Sequence, residues 1–211
     1  MNTNTTIYLL RHGQTDWNVK GRRQGLLDSP LTRRGVFQAQ ENAKRLRMRL
    51  SLDAEIAFFA SPLGRARQTA LIVAKELGIL EQAIVFEPRL MECSFGIWQG
   101  LTTSEIKAHY PKEWRARSKD KWNIPAPSGE SYADVHARVS AWCEDASFAE
   151  TNLVVCHGLT SRVLRGIYSD LSPQRVFELS EPQDGFFELR NRTEKLAVSY
   201  THLTLPTIYS V

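Results

Sequence analysis

Four short apolar runs punctuate this chain, and each leads, directly or through a loop, into residues spaced for a helix. The runs are IYLL (Ile7 to Leu10), EIAFFA ending at Ala60, AIVFEP closed by Pro88, and NLVVC ending at Cys156. Runs this short and this apolar predict strands buried on both faces. Thr32 can cap a helix carrying Val36, Ala39, Ala43, Leu46 and Leu50 at spacings of three and four. Ser61 and Pro62 supply an N-cap and a first-turn proline for a second helix, with Ala66, Ala70, Val73 and Leu77 on one face and Gly78 to end it. Ser131 with Asp134 forms a capping box ahead of Tyr132, Val135, Val139 and Trp142. Val163, Leu164 and Ile167 continue a helix after the fourth run, and FFELR and KLAVSY, joined across NRTE, read as a hairpin.

Strands alternating with helices predict an α/β chain with a mostly parallel sheet and helices on both faces. At 211 residues the length suits one domain. We place it at 1–198, with residues 91–131, broken by Pro111, Pro125, Pro127 and Gly129, as an excursion of loops and short helices within it. Residues 199–211 fit no element. They resemble translated adapter sequence and are read as a tail foreign to the domain.

Two of the runs end alike: Arg11-His12-Gly13 follows the first and His157-Gly158 the fourth. Ligands of open parallel sheets bind just beyond the carboxyl ends of the strands, so His12 and His157 fall on the binding edge. Glycine after each histidine allows a tight turn and a close approach of backbone to ligand. The junction after EIAFFA brings Arg65, in the first turn of its helix, to the same edge, where free N–H groups favour an anion. Glu92, in RLMECSFGIWQG, follows the third strand by a few residues.

Phosphoryl transfer is the chemistry this set could perform. A phosphomonoester is a dianion whose three equatorial oxygens must be neutralised while attacking and leaving atoms stay in line. Two guanidinium groups suit this, being planar, bidentate and permanently charged. Each charge pair at ~4 Å is worth roughly 4 kcal/mol at an effective dielectric of about 20, so no metal or cofactor is expected. Neutral imidazole is a competent nucleophile near pH 7. A carboxyl such as Glu92 could protonate the departing alkoxide and then activate water.

The formal charge of +4 comes with no nucleic-acid motif, and the runs Lys44 to Arg49 and Arg115 to Lys121 lack interleaved aromatics. They are read as solvated surface, part of which could steer small anions. No nucleic-acid partner and no membrane span are expected, and MNTNTT lacks the features of a signal peptide. Three cysteines (Cys93, Cys143, Cys156) without metal-like spacing fit a cytoplasmic protein. No Gly-x-Ser-x-Gly elbow, Walker loop or dinucleotide glycine pattern occurs.

LLRHGQTDWN followed by QG and DSPLTRRG resembles the signature of the histidine phosphatase superfamily, the phosphoglycerate mutase-like proteins. SPLGRARQTA, MECSFGIWQG, PSGES and CHG follow in the family's order, so the match covers about Ile7 to Ala197. The resemblance implies a three-layer α/β/α sandwich with a six-stranded sheet. It implies phosphorylation of His12, with Arg11, Arg65 and His157 around the phosphate and Glu92 as proton donor. Thr15, Asn18, Gln24 and Gly25 match positions lining the family's phosphate pocket, and Gly158 is grouped with them as substrate-binding. Gln14 and Gln99 stand where glutamate is common in the family.

Glycolytic mutases of the family carry a longer segment before GES. Here only roughly 30 residues separate Gly100 from Glu130, which resembles the broad-specificity phosphatase branch. The expectation is a cofactor- and metal-independent phosphomonoesterase acting on a small molecule. A mutase and a non-catalytic phospho-ligand-binding protein are the alternatives, and oligomeric state is open. EIKAHYPKEWRARSKDKWNIP would form a lid, in which Trp114 and Trp122, with the nearby Trp98, either pack on substrate or form local core. Its Lys and Arg hint at an acidic or multiply phosphorylated substrate.

Overall fold

Alternate residues of the first strand face opposite layers, and this organises the molecule. In the computed structural model, which describes residues 5–51 and 54–198, Ile7 and Leu9 pack into one apolar cluster while Tyr8 and Leu10 pack into another. The proposed foreign tail, 199–211, lies outside the described residues. The strands are β1 (Thr6–Arg11), β2 (Ile56–Ala60), β3 (Ile84–Phe86), β4 (Thr151–Cys156), β5 (Gly185–Arg190) and β6 (Thr193–Val198). They form one sheet in the order β3-β2-β4-β1-β5-β6. The first four are parallel; β5 adds antiparallel to β1, and β6 antiparallel to β5. Asn191 and Arg192, with φ of 52° and 57°, turn the β5–β6 hairpin.

The helices are α1 (Asp16–Val19), α2 (Arg33–Arg47), α3 (Gly64–Leu77), α4 (Thr103–His109), α5 (Pro111–Lys119), α6 (Tyr132–Asp145), α7 (Gly158–Tyr168) and α8 (Pro173–Glu178). On one face Ala43 and Leu46 of α2 join Ala66, Ala70 and Val73 of α3 over Leu153 and Val155. On the other, Val135, Val139 and Trp142 of α6 meet Val163 and Leu164 of α7 over Val154 and Cys156. Period two in the strands and 3.6 in the helices thus meet in two cores, giving the α/β/α sandwich that the sequence predicts.

Three expectations are corrected. The first-core helix ends at Arg47, leaving Leu50 beyond it. The helix after β2 starts at Gly64 with Leu63 as N-cap, so Ser61 does not cap it. Gly13 has no positive φ; it is needed because a Cβ there would come within 2.3 Å of the Gly35 carbonyl oxygen. The first turn of α2 therefore lies directly on the loop after His12.

Residues 91–131 contain α4, α5 and a small core in which Trp98 packs with Ile106 and Ala126. Trp122 instead joins the main core, against Tyr132 and Phe177.

Candidate active site

Because β1 and β4 are hydrogen-bonded neighbours with Arg11 opposite Cys156, their two histidines emerge side by side. The His12 N–H donates to the Cys156 carbonyl at 3.0 Å. The imidazole centroids are 5.2 Å apart, and both rings are buried. His12 Nδ1 lies 2.8 Å from the Gly13 carbonyl oxygen. A carbonyl only accepts, so Nδ1 carries the hydrogen and Nε2 keeps its lone pair. Burial first, then the charges of Arg11 and Arg65, holds the His12 pKa well below 6.5. The same burial, with Arg65, does so for His157. Both rings are neutral at pH 7.

Each guanidinium is anchored at its terminal nitrogens. Arg11 donates through Nη1 to the Glu181 carbonyl at 2.7 Å, with the Glu181 carboxylate 3.6 Å from the same nitrogen. Arg65 donates through Nη1 to Leu27 O and Asp28 Oδ1, and through Nη2 to Gly25 O, all at 2.7 Å. In both residues Nε is buried with no protein partner, and so is Nδ1 of His157. Buried donors are rarely left unpaired. The two orphaned guanidinium N–H groups are donors that can serve an anion beside His12. Burial lowers the Arg65 pKa, yet a guanidinium stays charged at neutral pH.

Glu92 reaches the start of α7. Its carboxylate accepts from Cys93 N at 2.9 Å and, at 3.4 Å, from Leu159 N and from the N–H and hydroxyl of Thr160. A helix N-terminus favours such a negative charge. Arg138 steadies this loop: it donates to Glu92 O at 3.3 Å and pairs with Glu130 at 2.9 Å, while Glu130 accepts from Ser94 N.

The cleft above these groups has a volume of about 420 Å³. His12, Arg11, Arg65, Glu92, Asn18, Gln24 and Gly25 line it; His157, Thr15 and Gly158 are not among its lining residues. Fully buried Thr15 instead caps α1 and fixes Asn18, whose Oδ1 accepts from Thr15 N, Thr15 Oγ1 and Gln183 Nε2. That occupancy leaves the Asn18 NH₂ for the cleft. Gly25 adopts φ +55°, and Gln99 fills the space beside it, accepting from Leu26 N at 2.7 Å. A Cβ on Gly158 would strike the Glu181 carboxylate at 2.5 Å. Trp98 and Trp114 line the cleft, whereas Trp122 does not. Among the described residues no group of three or more His, Cys, Asp or Glu could hold a metal, and no helix is long and apolar enough to cross a membrane.

Four residues around the site have no part in the site as read from sequence. Ser61 Oγ lies 2.7 Å from His157 Nε2, and Leu63 N donates to it at 3.3 Å. Asp28 accepts from Gly64 N, Arg65 N and Arg65 Nη1; its place in DSPLTRRG was the available signal. Glu181, bridging Arg11 and Arg162, and Gln183, donating to His12 O, follow α8 in a segment with no local pattern.

A model of the histidine phosphatase superfamily (branch 1) matches residues 7–198. Phosphoserine phosphatase 1 of Hydrogenobacter thermophilus is 32% identical over 75% of this chain and 73% of its own. A probable phosphoglycerate mutase of Photorhabdus laumondii is 34% identical over 76% and 73%. A mycobacterial glucosyl-3-phosphoglycerate phosphatase structure, in complex with VO3, superposes with a TM-score of 0.73 at 28% identity, covering 92% of this chain and 97% of that one. The chain belongs to the histidine phosphatase superfamily and, like these phosphatases and mutases, is an enzyme.

Proposed function

We propose that this histidine phosphatase superfamily member hydrolyses small phosphomonoesters through a phosphohistidine on His12. The observation that carries the reading is the pair of buried, unpartnered Nε atoms of Arg11 and Arg65 beside a ring whose Nε2 lone pair is free. The phosphoryl group passes from substrate oxygen to His12 Nε2 while the arginines neutralise its equatorial oxygens. His157, neutral and tied to Ser61, packs beside the His12 ring and steadies it from behind the cleft. Asn18, Gln24 and the Gly25 loop frame the phosphate, Thr15 acts through Asn18, and Gly158 keeps room for Glu181.

Glu92 protonates the leaving oxygen, and its carboxylate then activates water to break the P–N bond, returning the proton to itself. No step calls for a metal. Residues 91–131 form the lid, and the domain ends near 198. Enclosure is modest: roughly 30 residues lie between Gly100 and Glu130, which leaves water access to the phosphoenzyme and favours hydrolysis over mutase transfer. The small phosphorylated compounds named for the relatives fit a cleft of about 420 Å³.

The test is phosphate release from a panel of phosphomonoesters in the presence of EDTA, beside 3-phosphoglycerate supplied with catalytic 2,3-bisphosphoglycerate. Release from several esters, exceeding isomerisation, is the expected result. Isomerisation outrunning release would make the enzyme a mutase, and no turnover of either kind would leave a phospho-ligand-binding protein.

A further inference from the structure

Asp28 caps α3 and holds Arg65, and Glu92 is the proposed acid, but a third carboxylate, that of Glu181, lines the cleft with neither task. It sits between two arginines that line the same cleft. Its Oε2 is 3.6 Å from Arg11 Nη1, and its Oε1 is 2.9 Å from Arg162 Nε.

Neither arginine depends on that carboxylate for its place. Arg11 Nη1 donates to the backbone carbonyl of Glu181 at 2.7 Å, and Arg162 Nε to that of Leu179 at 2.6 Å. Both anchors belong to the main chain and survive a change of the Glu181 side chain. What the side chain adds is charge, and it adds it where an incoming anion is drawn. A Cβ on Gly158 would come within 2.5 Å of the carboxylate and 3.4 Å of Arg11 Cζ. The carboxylate therefore rests on the first residue of α7, beside the guanidinium. Helix N-termini and guanidinium groups both attract anions. A phosphate held by Arg11 must share that cation with a fixed negative charge, and like charges weaken such a hold.

We propose that Glu181 is an internal counter-ion that competes with the phosphate dianion for Arg11 and so loosens the enzyme's hold on its inorganic phosphate product. This rests on the cleft's being a phosphomonoester site. The substrate's phosphoryl group carries the same charge, so its ground-state binding is loosened as well. The arrangement raises KM but shortens the stay of the product, whose release is the slow step in many enzymes. Acting through Arg11, Glu181 is a positioning residue.

The experiment is calorimetric titration with inorganic phosphate, at low ionic strength and mildly alkaline pH, of the parent protein, Glu181→Gln and Glu181→Asp. Glu181→Gln should bind phosphate at least about threefold more tightly, the worth of one partly exposed charge interaction. Glu181→Asp, which keeps the charge, should stay near the parent, and added salt should shrink the difference. The KM of Glu181→Gln for p-nitrophenyl phosphate should fall alongside, while kcat does not rise. A merely structural role predicts the opposite sign, since a damaged site binds less. Should Glu181→Gln not fold, Glu181→Ser, which leaves the same main-chain anchors, carries the test. Phosphate affinity equal to the parent's or weaker in the folded neutral variant would overturn the proposal. Failure of the parent to hydrolyse any phosphomonoester would sink the phosphatase reading alone, because the phosphate titration needs no turnover.

Discussion

Asp28 holds Arg65 by both its ends. One carboxylate accepts from the Arg65 backbone N–H at 3.2 Å and from its Nη1 at 2.7 Å, and also takes the Gly64 N–H. A residue 37 positions upstream thus closes the N-terminus of α3 and sets the angle of the guanidinium. Asp28→Ala should lower kcat/KM on p-nitrophenyl phosphate roughly tenfold or more through a misplaced Arg65. It should also cost about 1 kcal/mol of stability through the lost cap. Asp28→Asn, which keeps an acceptor but not the charge, should fall between Ala and the parent. Steady-state kinetics with a thermal melt reads both, and an Ala variant with parental kinetics would show that Arg65 needs no such support.

Glu92 lines the cleft and is the proposed general acid. Glu92→Gln should slow alkyl phosphates roughly 100-fold, within the usual range for a lost general acid. On p-nitrophenyl phosphate, whose leaving group scarcely needs a proton, the first step should be slowed far less. Burst kinetics separates that step from dephosphorylation, and equal slowing of transfer from both substrates would remove Glu92 from the acid role.

The two buried histidines also set how stability depends on pH. Both have folded pKa values well below 6.5, burial being the main cause. Below pH 6.5 the unfolded chain takes up protons that the folded chain refuses, so stability falls as pH drops through this window. With two such rings the slope can reach about 2.7 kcal/mol per pH unit. Denaturant melts between pH 7 and pH 5 should show this loss, and His157→Asn should flatten the slope by up to half. A pH-independent midpoint in the parent protein would contradict the assigned neutral rings.

Much of this architecture is legible from residue pattern. The four apolar runs became β1 to β4 because buried parallel strands have no polar face to disguise them, and the helical stripe Tyr132, Val135, Val139 and Trp142 is buried as its spacing requires. His12 and His157 could be placed together from their equivalent positions after β1 and β4. What pattern could not convey is the tertiary half of the site. Ser61 was misread because a serine before a proline looks like a cap, whereas the fold turns its hydroxyl to His157. Glu181 and Gln183 reach Arg11 and His12 from some 170 residues away in sequence, and no local periodicity encodes such a contact. Thr15 shows the subtler case: it is close to the phosphate site in sequence, yet its hydroxyl orients Asn18.

The central claim is that His12 Nε2 carries the phosphoryl group. Rapid acid-free quenching with a labelled phosphomonoester, followed by peptide mass spectrometry at neutral to alkaline pH, measures this directly. A phosphoryl adduct on His12 that forms and decays within the turnover time, and that is absent from His12→Ala, is the predicted result. An adduct on any other side chain, or turnover persisting at the parental rate in His12→Ala, would contradict it.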